Sequence, residues 1–205
     1  MSKLKIGVII SSTRDSRFGD KPAQWILDKA NARNEIDAEL VDLRDFDLPF
    51  FNEMASNLWM PSSDPRAVAW QKKLAEFDGF IFVVAEYNRS ITGALKNAID
   101  QAYLEWNRKP FGIVAYGSVG GTRAAEHLRN IGVEMQMVST RSAVHIGGSD
   151  FFAVHPLGGQ NKSFSDIEGS IGPSAKDMLD QLIWWGTATK AARTQDNVQA
   201  AVAAE

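Results

Sequence analysis

The amino-acid sequence predicts an α/β fold, a three-layer sandwich built on a five-stranded parallel sheet. Three observations point there. Five short apolar runs rich in β-branched and aromatic residues recur along the chain, as expected of strands covered on both faces. Segments with helical spacing of apolar residues alternate with them, the pattern that puts helices on both sides of a parallel sheet. The 205 residues are 44% hydrophobic, enough for one sizeable core, and show neither an internal repeat nor a linker, so 1–205 reads as one domain.

The first strand is Leu4–Ile10, with Ile6, Val8, Ile9 and Ile10 buried. A helix is expected over about 20–32, where Pro22 is acceptable because a first-turn N–H has no helical partner to lose. The second strand is expected over 39–43. Residues 44–63 read as a long loop carrying Phe50, Phe51, Trp59 and Met60 without periodicity, suited to a pocket wall or a subunit contact. Asp64-Pro65 is a helix-start signal for a helix to about 77.

The third strand is Phe80-Ile81-Phe82-Val83-Val84-Ala85, followed by a polar loop and a helix from Ala94 to about 104 that Ser90 or Thr92 can cap. The fourth strand, 111–116, leads through glycines into a helix with Ala124, Leu128, Ile131, Met135 and Val138 on one stripe, although Gly132 weakens it by about 1 kcal/mol. The fifth strand is 143–146. Residues 147–172 read as irregular, Pro173 as the start of the last helix, and the tail after about 193 as frayed.

Bulk properties narrow the function. A net charge of −3 and a pI near 5.7 suggest neither a nucleic-acid partner nor an anionic membrane. The absence of cysteine excludes disulfides, thiol nucleophiles and iron–sulfur ligation. His127, His145 and His155 are scattered, so no metal site is expected. No signal-like or membrane-length run is present, and a cytoplasmic location is expected.

Three strand-following loops carry the chemistry. The first, 11–19, offers Ser11, Thr13, Arg14, Ser16 and Arg17, with Phe18 and Gly19 closing it, at a helix N-terminus that favours an anion. It matches neither Gly-x-Gly-x-x-Gly nor the triphosphatase loop and suggests a monophosphate. The second presents Tyr87 for stacking, Asn88 for amide contacts, and Ser90. The third, Gly117-Ser118-Val119-Gly120-Gly121 after Tyr116, lets backbone amides approach a planar ligand; it is not a nucleophile elbow. A ligand with a phosphate at one end and a flat heteroaromatic at the other fits all three, and FMN is such a ligand.

Ser11-Ser12-Thr13-Arg14, the run Glu86-Tyr87-Asn88-Arg89-Ser90-Ile91-Thr92-Gly93-Ala94-Leu95-Lys96-Asn97-Ala98-Ile99-Asp100, and Tyr116-Gly117-Ser118-Val119-Gly120-Gly121 together resemble the NADPH-dependent FMN reductase family, over about residues 5–150. The resemblance implies a flavodoxin-like sheet of order 2-1-3-4-5 and a homodimer or homotetramer, with residues 44–63 the candidate contact. It implies FMN with its phosphate on Ser11, Thr13, Arg14, Ser16 and Arg17. The ring would lie against Glu86, Tyr87 and Asn88 and against Gly117, Ser118, Val119 and Gly120. The chain departs from the family pattern at Ser11, usually Gly, and at Ala85, usually Pro, which should loosen the turn.

The expected activity is transfer of hydride from NADPH or NADH to flavin N5 and onward to a small acceptor such as a quinone, by a ping-pong route. The cofactor carries the chemistry and no catalytic side chain is required. Tyr116 and Arg89 are the nearest candidates for substrate contact. Lys96 and Arg123 are surface charges that could attract the donor's phosphate. The alternatives are a flavodoxin-like electron carrier, against which the modest charge speaks, and a flavin-binding regulatory protein without turnover.

Overall fold

The computed structural model describes residues 2–203; Met1, Ala204 and Glu205, the ends of the expected single-domain span, lie outside the described residues. Its strands are β1 (Leu4–Ile10), β2 (Ile36–Asp42), β3 (Gly79–Ala85), β4 (Pro110–Tyr116), β5 (Val138–Ser139) and β6 (Val144–Ile146). Its helices are α1 (Asp20–Asn31), α2 (Pro65–Ala75), α3 (Gly93–Asp100), α4 (Thr122–Glu134), α5 (Gly148–Val154) and α6 (Glu168–Ala203). All pairings are parallel, in the order β2-β1-β3-β4-β5, with β6 also on β4. The flavodoxin-like order implied by the resemblance is therefore present.

Period-two alternation sorts the strand side chains onto two cores. Ile6, Val8, Ile81, Val83 and Val114 face α1 and α6, where Ile26, Met178 and Leu182 cover them. Ile9, Phe80, Phe82 and Phe111 face α2, α3 and α4, where Trp70 and Trp106 are fully buried. Both indole N–H groups find carbonyls, Trp70 on Ala98 at 2.7 Å and Trp106 on Ile99 at 3.2 Å, so neither ring buries an unpaired donor. β3 and β4 are buried along their whole length, which explains their unbroken apolar sequence.

The start signals read from sequence hold. The Asp64 carboxylate accepts from the Arg66 N–H at the head of α2, with Pro65 in the first turn. Of the two hydroxyls offered for α3, Thr92 is the cap, accepting from the Leu95 N–H at 3.1 Å.

The second half of the chain differs from expectation in four places. Helix α3 ends at Asp100, because 101–109 turn to bring Trp106 under the sheet. Val138 belongs to β5 rather than α4, so the fifth strand is two short pieces separated at 140–143, pairing the two ends of β4. Residues 147–172 contain α5 and short 3-10 turns at Pro156–Gly158 and Phe164–Asp166. Helix α6 begins at Glu168, with Pro173 inside its second turn, and is helical through Ala203. Glu168 accepts from Trp25 Nε1 at 3.0 Å and from Lys29 Nζ at 2.5 Å, which fixes the helix start five residues before the proline. Beyond 193, the pairing of Arg108 with Asp196 ties the helix to the β4 end of the sheet.

Within α4, Gly132 has a packing reason. A Cβ there would stand 2.6 Å from the Phe111 ring, so the helix approaches β4 closely only because that position has no side chain.

Candidate active site

Parallel strands release their loops from one edge, so the turns after β1, β3, β4 and β6 form a continuous rim, the place where open α/β sheets bind ligands. Their backbones are locked to one another. Thr92 Oγ1 donates to the Ser11 carbonyl at 2.7 Å, and the Ser12 and Tyr87 hydroxyls lie 3.1 Å apart. The Glu86 N–H donates to the Tyr116 carbonyl at 3.2 Å, joining the second loop to the third. Gly117 N–H donates to Ile146 O at 3.2 Å and Gly148 N–H to Ser118 O at 3.0 Å, joining the third to the turn after β6.

In the first loop, Thr13, Arg14 and Ser16 are exposed at the head of α1. Arg14 lies over the Tyr87 ring, 5.2 Å from its centroid, and has no carboxylate partner among the described residues. Helix α1 starts after Gly19, which supplies no side-chain cap. Two hydroxyls and an unpaired guanidinium at an uncapped helix start suit a phosphate.

Arg17 has another job. Its Nε donates to both Asp20 oxygens at 3.0 Å, and Nη1 donates to the Ser12 carbonyl at 3.0 Å and Asp42 Oδ1 at 2.6 Å. Nη2 donates to Asp42 Oδ2 at 2.6 Å and to Asp20. All the guanidinium N–H groups are engaged by protein acceptors. The hydrogen bond to Asp42 foremost, and Asp20 behind it, raise the Arg17 pKa despite burial. Burial pushes the Asp42 carboxyl up, but the donors of Arg17 and Arg44 outweigh it and hold that carboxyl well below the usual range. Arg17 thus closes the loop from behind instead of facing outward.

Ser11 is also fully buried, and its Oγ accepts from the Ala85 N–H at 3.4 Å. These are the two positions at which the chain departs from the family pattern. Where a proline would have no N–H, Ala85 has one, and Ser11 receives it, so the turn expected to loosen gains a cross-strand tie. Phe18 is buried between Tyr116, Phe151 and His155, and a Cβ on Gly19 would sit 2.8 Å from the Tyr116 hydroxyl. Both residues shape the loop from inside the core. Tyr116 is 5% exposed, and burial foremost pushes its phenol pKa up, so its side chain is a core group and not a substrate contact.

The second loop is a tight turn. Tyr87 and Ser90 exchange backbone hydrogen bonds at 2.9 and 3.0 Å, with Asn88 and Arg89 at φ +50 and +68. These are the angles of a primed two-residue turn, natural for Asn and costing about 1 kcal/mol for Arg. The turn exposes Asn88 and Arg89 at its tip and leaves Tyr87 half-buried. Ser90 Oγ lies 2.6 Å from His127 Nδ1. Glu86 does not face outward: its side chain is 6% exposed and its carboxylate pairs with Arg123.

In the third loop Ser118 and Val119 are exposed, and Gly117 to Gly121 are held from below. The Gly120 carbonyl lies 2.9 Å from His145 Nδ1, and a Cβ on Gly147 would meet the Gly120 nitrogen at 2.3 Å, so the two turns touch through bare backbone. Sequence reasoning missed His127, His145 and Gly147 as braces, and took Arg123 for a surface charge. Lys96, its companion in that reading, is bound by Asp100 at 2.7 Å. Beside Thr13 a cavity of about 480 Å³ opens between Arg44, Asp47 and Phe50 and the first turn of α3. Among the described residues no group of three or more His, Asp or Glu side chains converges to hold a metal ion.

Known proteins share the part of the chain that carries this rim. The family model for NADPH-dependent FMN reductases matches residues 4–150, which contain β1 through β6 and the three loops. The chain belongs to the NADPH-dependent FMN reductase family. It is similar to an NAD(P)H-dependent FMN reductase of a Nectria species, 31% identical over 73% of this chain and 79% of that protein. It is similar to a 2-hydroxy-1,4-benzoquinone reductase of a Burkholderia species, 31% identical over 66% of this chain and 73% of the relative. Among solved structures, the flavoenzyme NAD(P)H:(acceptor) oxidoreductase FerB of Paracoccus denitrificans superposes with a TM-score of 0.59 at 21% identity, over 87% of this chain and 98% of that one, a likeness of fold. The family match ends at 150, inside α5, so α6 lies beyond the matched residues.

Proposed function

We propose that this FMN reductase family member is an FMN-dependent NAD(P)H oxidoreductase that reduces a small acceptor such as a quinone. The observation that carries the reading is the donor set at the start of α1: Thr13, Ser16 and the carboxylate-free Arg14, beside Tyr87. In that assignment the exposed donors of the first loop hold the FMN phosphate, Arg17 holds the loop's shape, and Tyr87, Asn88 and Gly117 to Gly120 form the bed of the ring. When bound, FMN supplies the two-electron chemistry, accepting hydride from NAD(P)H and passing electrons to the acceptor.

The chain's own residues bind and orient. The αL pair Asn88–Arg89 holds the turn over the rim, His127 and His145 brace two loops from outside, and the Ser11–Ala85 tie fixes the junction of β1 and β3. No side chain is required to move a proton to the donor. Donor and acceptor enter the same cleft in turn, which gives ping-pong kinetics.

The exposed apolar residues of the loop after β2 support a homodimer or homotetramer: Phe50 is 87% exposed, Met54 91% and Trp59 78%. No described helix is long and apolar enough to cross a membrane, and a cytoplasmic location is part of the proposal. The test is an absorbance spectrum of the purified protein. A flavin spectrum bleached by NADPH without oxygen, and parallel double-reciprocal lines with a quinone, are expected. A colourless protein that neither binds added FMN nor oxidises NADPH would refute the reading, and intersecting lines would refute the ping-pong order.

A further inference from the structure

Glu86 stands between the two turns that form the ring bed. Its backbone N–H is bonded to Tyr116 O, and its Cβ is 3.7 Å from where a Cβ on Gly117 would lie. Its side chain is 6% exposed. It accepts from the Arg123 backbone N–H at 3.2 Å and from Arg123 Nε at 2.6 Å, with Nη2 also in contact. The residue before α4, Gly121, has no side chain to cap the helix. Glu86 therefore caps α4 from the neighbouring strand, and the positive end of that helix is spent on a protein carboxylate. The pair leaves a buried negative charge under the rim, balanced by a cation whose own side chain is 40% exposed.

A flavin that takes a hydride from NAD(P)H, leaving NAD(P)+, gains one negative charge. Fixed charges close to it then act on its reduced form more than on its oxidised form. Water screens the half-exposed Arg123 more than the buried Glu86.

We propose that Glu86 and Arg123 are positioning residues that set the reduction potential of the flavin on this rim, Glu86 opposing reduction and Arg123 offsetting that opposition. The inference rests on the FMN reading above. The pair also couples the turn at 87–90 to the turn at 117–121, so both halves of the bed move as one piece. Arg14, the cation of the first loop, lies over the Tyr87 ring and is common to all the variants below.

The test is the midpoint potential of the FMN-loaded full chain, read by equilibration with a reference dye, for Glu86→Gln, Arg123→Gln and Arg123→Lys. Glu86→Gln keeps one acceptor oxygen, for the α4 cap, and removes the charge together with the acceptor that the Arg123 guanidinium uses. It is expected to raise the reduced-to-oxidised ratio at a fixed dye potential about tenfold, a positive shift of about 30 mV for a two-electron couple. Arg123→Gln is expected to lower the ratio by a similar factor, and Arg123→Lys to restore most of it.

Opposite signs are the signature. A pair that served only as a bracket would weaken FMN binding in both variants without separating their potentials. Shifts of the same sign, or ratios within about twofold of wild type in both variants, would overturn the proposal. The dissociation constant of oxidised FMN, read by flavin fluorescence on the same proteins, separates the two readings. Wild-type protein that holds FMN while the potentials stay put overturns this inference alone, and protein that holds no FMN overturns the cofactor reading with it.

Discussion

Replacing Asp42 by Asn tests whether the proposed phosphate loop is held by the Arg17 cluster. The Arg17 side chain is 2% exposed and that of Asp42 19%, and two of the guanidinium nitrogens reach Asp42 at 2.6 Å. Removing one partner of a fully buried ion pair costs roughly 3–5 kcal/mol. Here Asp20 remains on the guanidinium and Asp42 is partly wetted, so a loss of about 2 kcal/mol at pH 7 is expected. With a urea slope of roughly 2 kcal/mol per molar for a domain of this size, the midpoint falls by about 1 M, measurable by tryptophan fluorescence.

The pH dependence carries a definite sign. The folded carboxyl titrates far below its unfolded value of about 3.9, so its contribution is complete above that value and fades as pH drops below it. Wild type and variant should therefore differ by the full amount at pH 7 and converge under acid conditions below about pH 4. Because Arg17 also holds the Ser12 carbonyl, the variant should bind FMN more weakly as well. Equal urea midpoints at pH 7, or a gap that persists undiminished into acid, would refute the reasoning.

Three other perturbations have clear directions. Burial foremost, with Arg193 adding to it, lowers the Lys109 pKa to about 8, against Asp78 and Glu105. The unfolded chain thus binds the extra proton between about pH 8 and 10, and wild-type stability should rise across that window relative to Lys109→Met, in paired urea titrations. Gly132→Ala should destabilise by about 1–3 kcal/mol in thermal melts despite alanine's better helix propensity, because the new Cβ meets Phe111 at 2.6 Å. Replacing both Phe50 and Trp59 by Ser should convert the proposed homo-oligomer to monomer in sedimentation velocity while leaving the melting temperature nearly unchanged, since both side chains are exposed on the single chain.

The fold was legible wherever one local signal sufficed. β3 and β4 announce themselves because burial on both faces demands an unbroken apolar run, and Asp64-Pro65 and Thr92 mark helix starts that need only their own neighbours. It was illegible where tertiary contacts decide. The start of α6 depends on Glu168 meeting Trp25 and Lys29, residues 143 and 139 positions away, and without that contact Pro173 looks like the first turn. The short α5 lacks a side-chain cap and follows glycines, so its sequence reads as loop. Val138 continues the apolar stripe of α4 in sequence, yet Gln136 at φ +53 breaks the helix and sends the chain into the sheet.

The site divides along the same physical line. Which loops line the rim follows from strand order alone, so their membership could be read in advance. Which way each side chain faces could not, because opposite uses share one residue type. Arg14 and Arg17 lie three residues apart in one basic loop, and only the approach of β2 decides that Arg17 meets Asp42 while Arg14 stays free. Glu86 shows the same thing at larger reach. A carboxylate inside a loop expected to bed the ring reads as a ligand group until the fold brings Arg123, 37 residues away, onto it. Had the Glu86 carboxylate pointed outward without a partner, its charge would have repelled the FMN phosphate and the reduced ring alike. Its inward turn lets an acidic residue sit within a rim proposed to receive an anion.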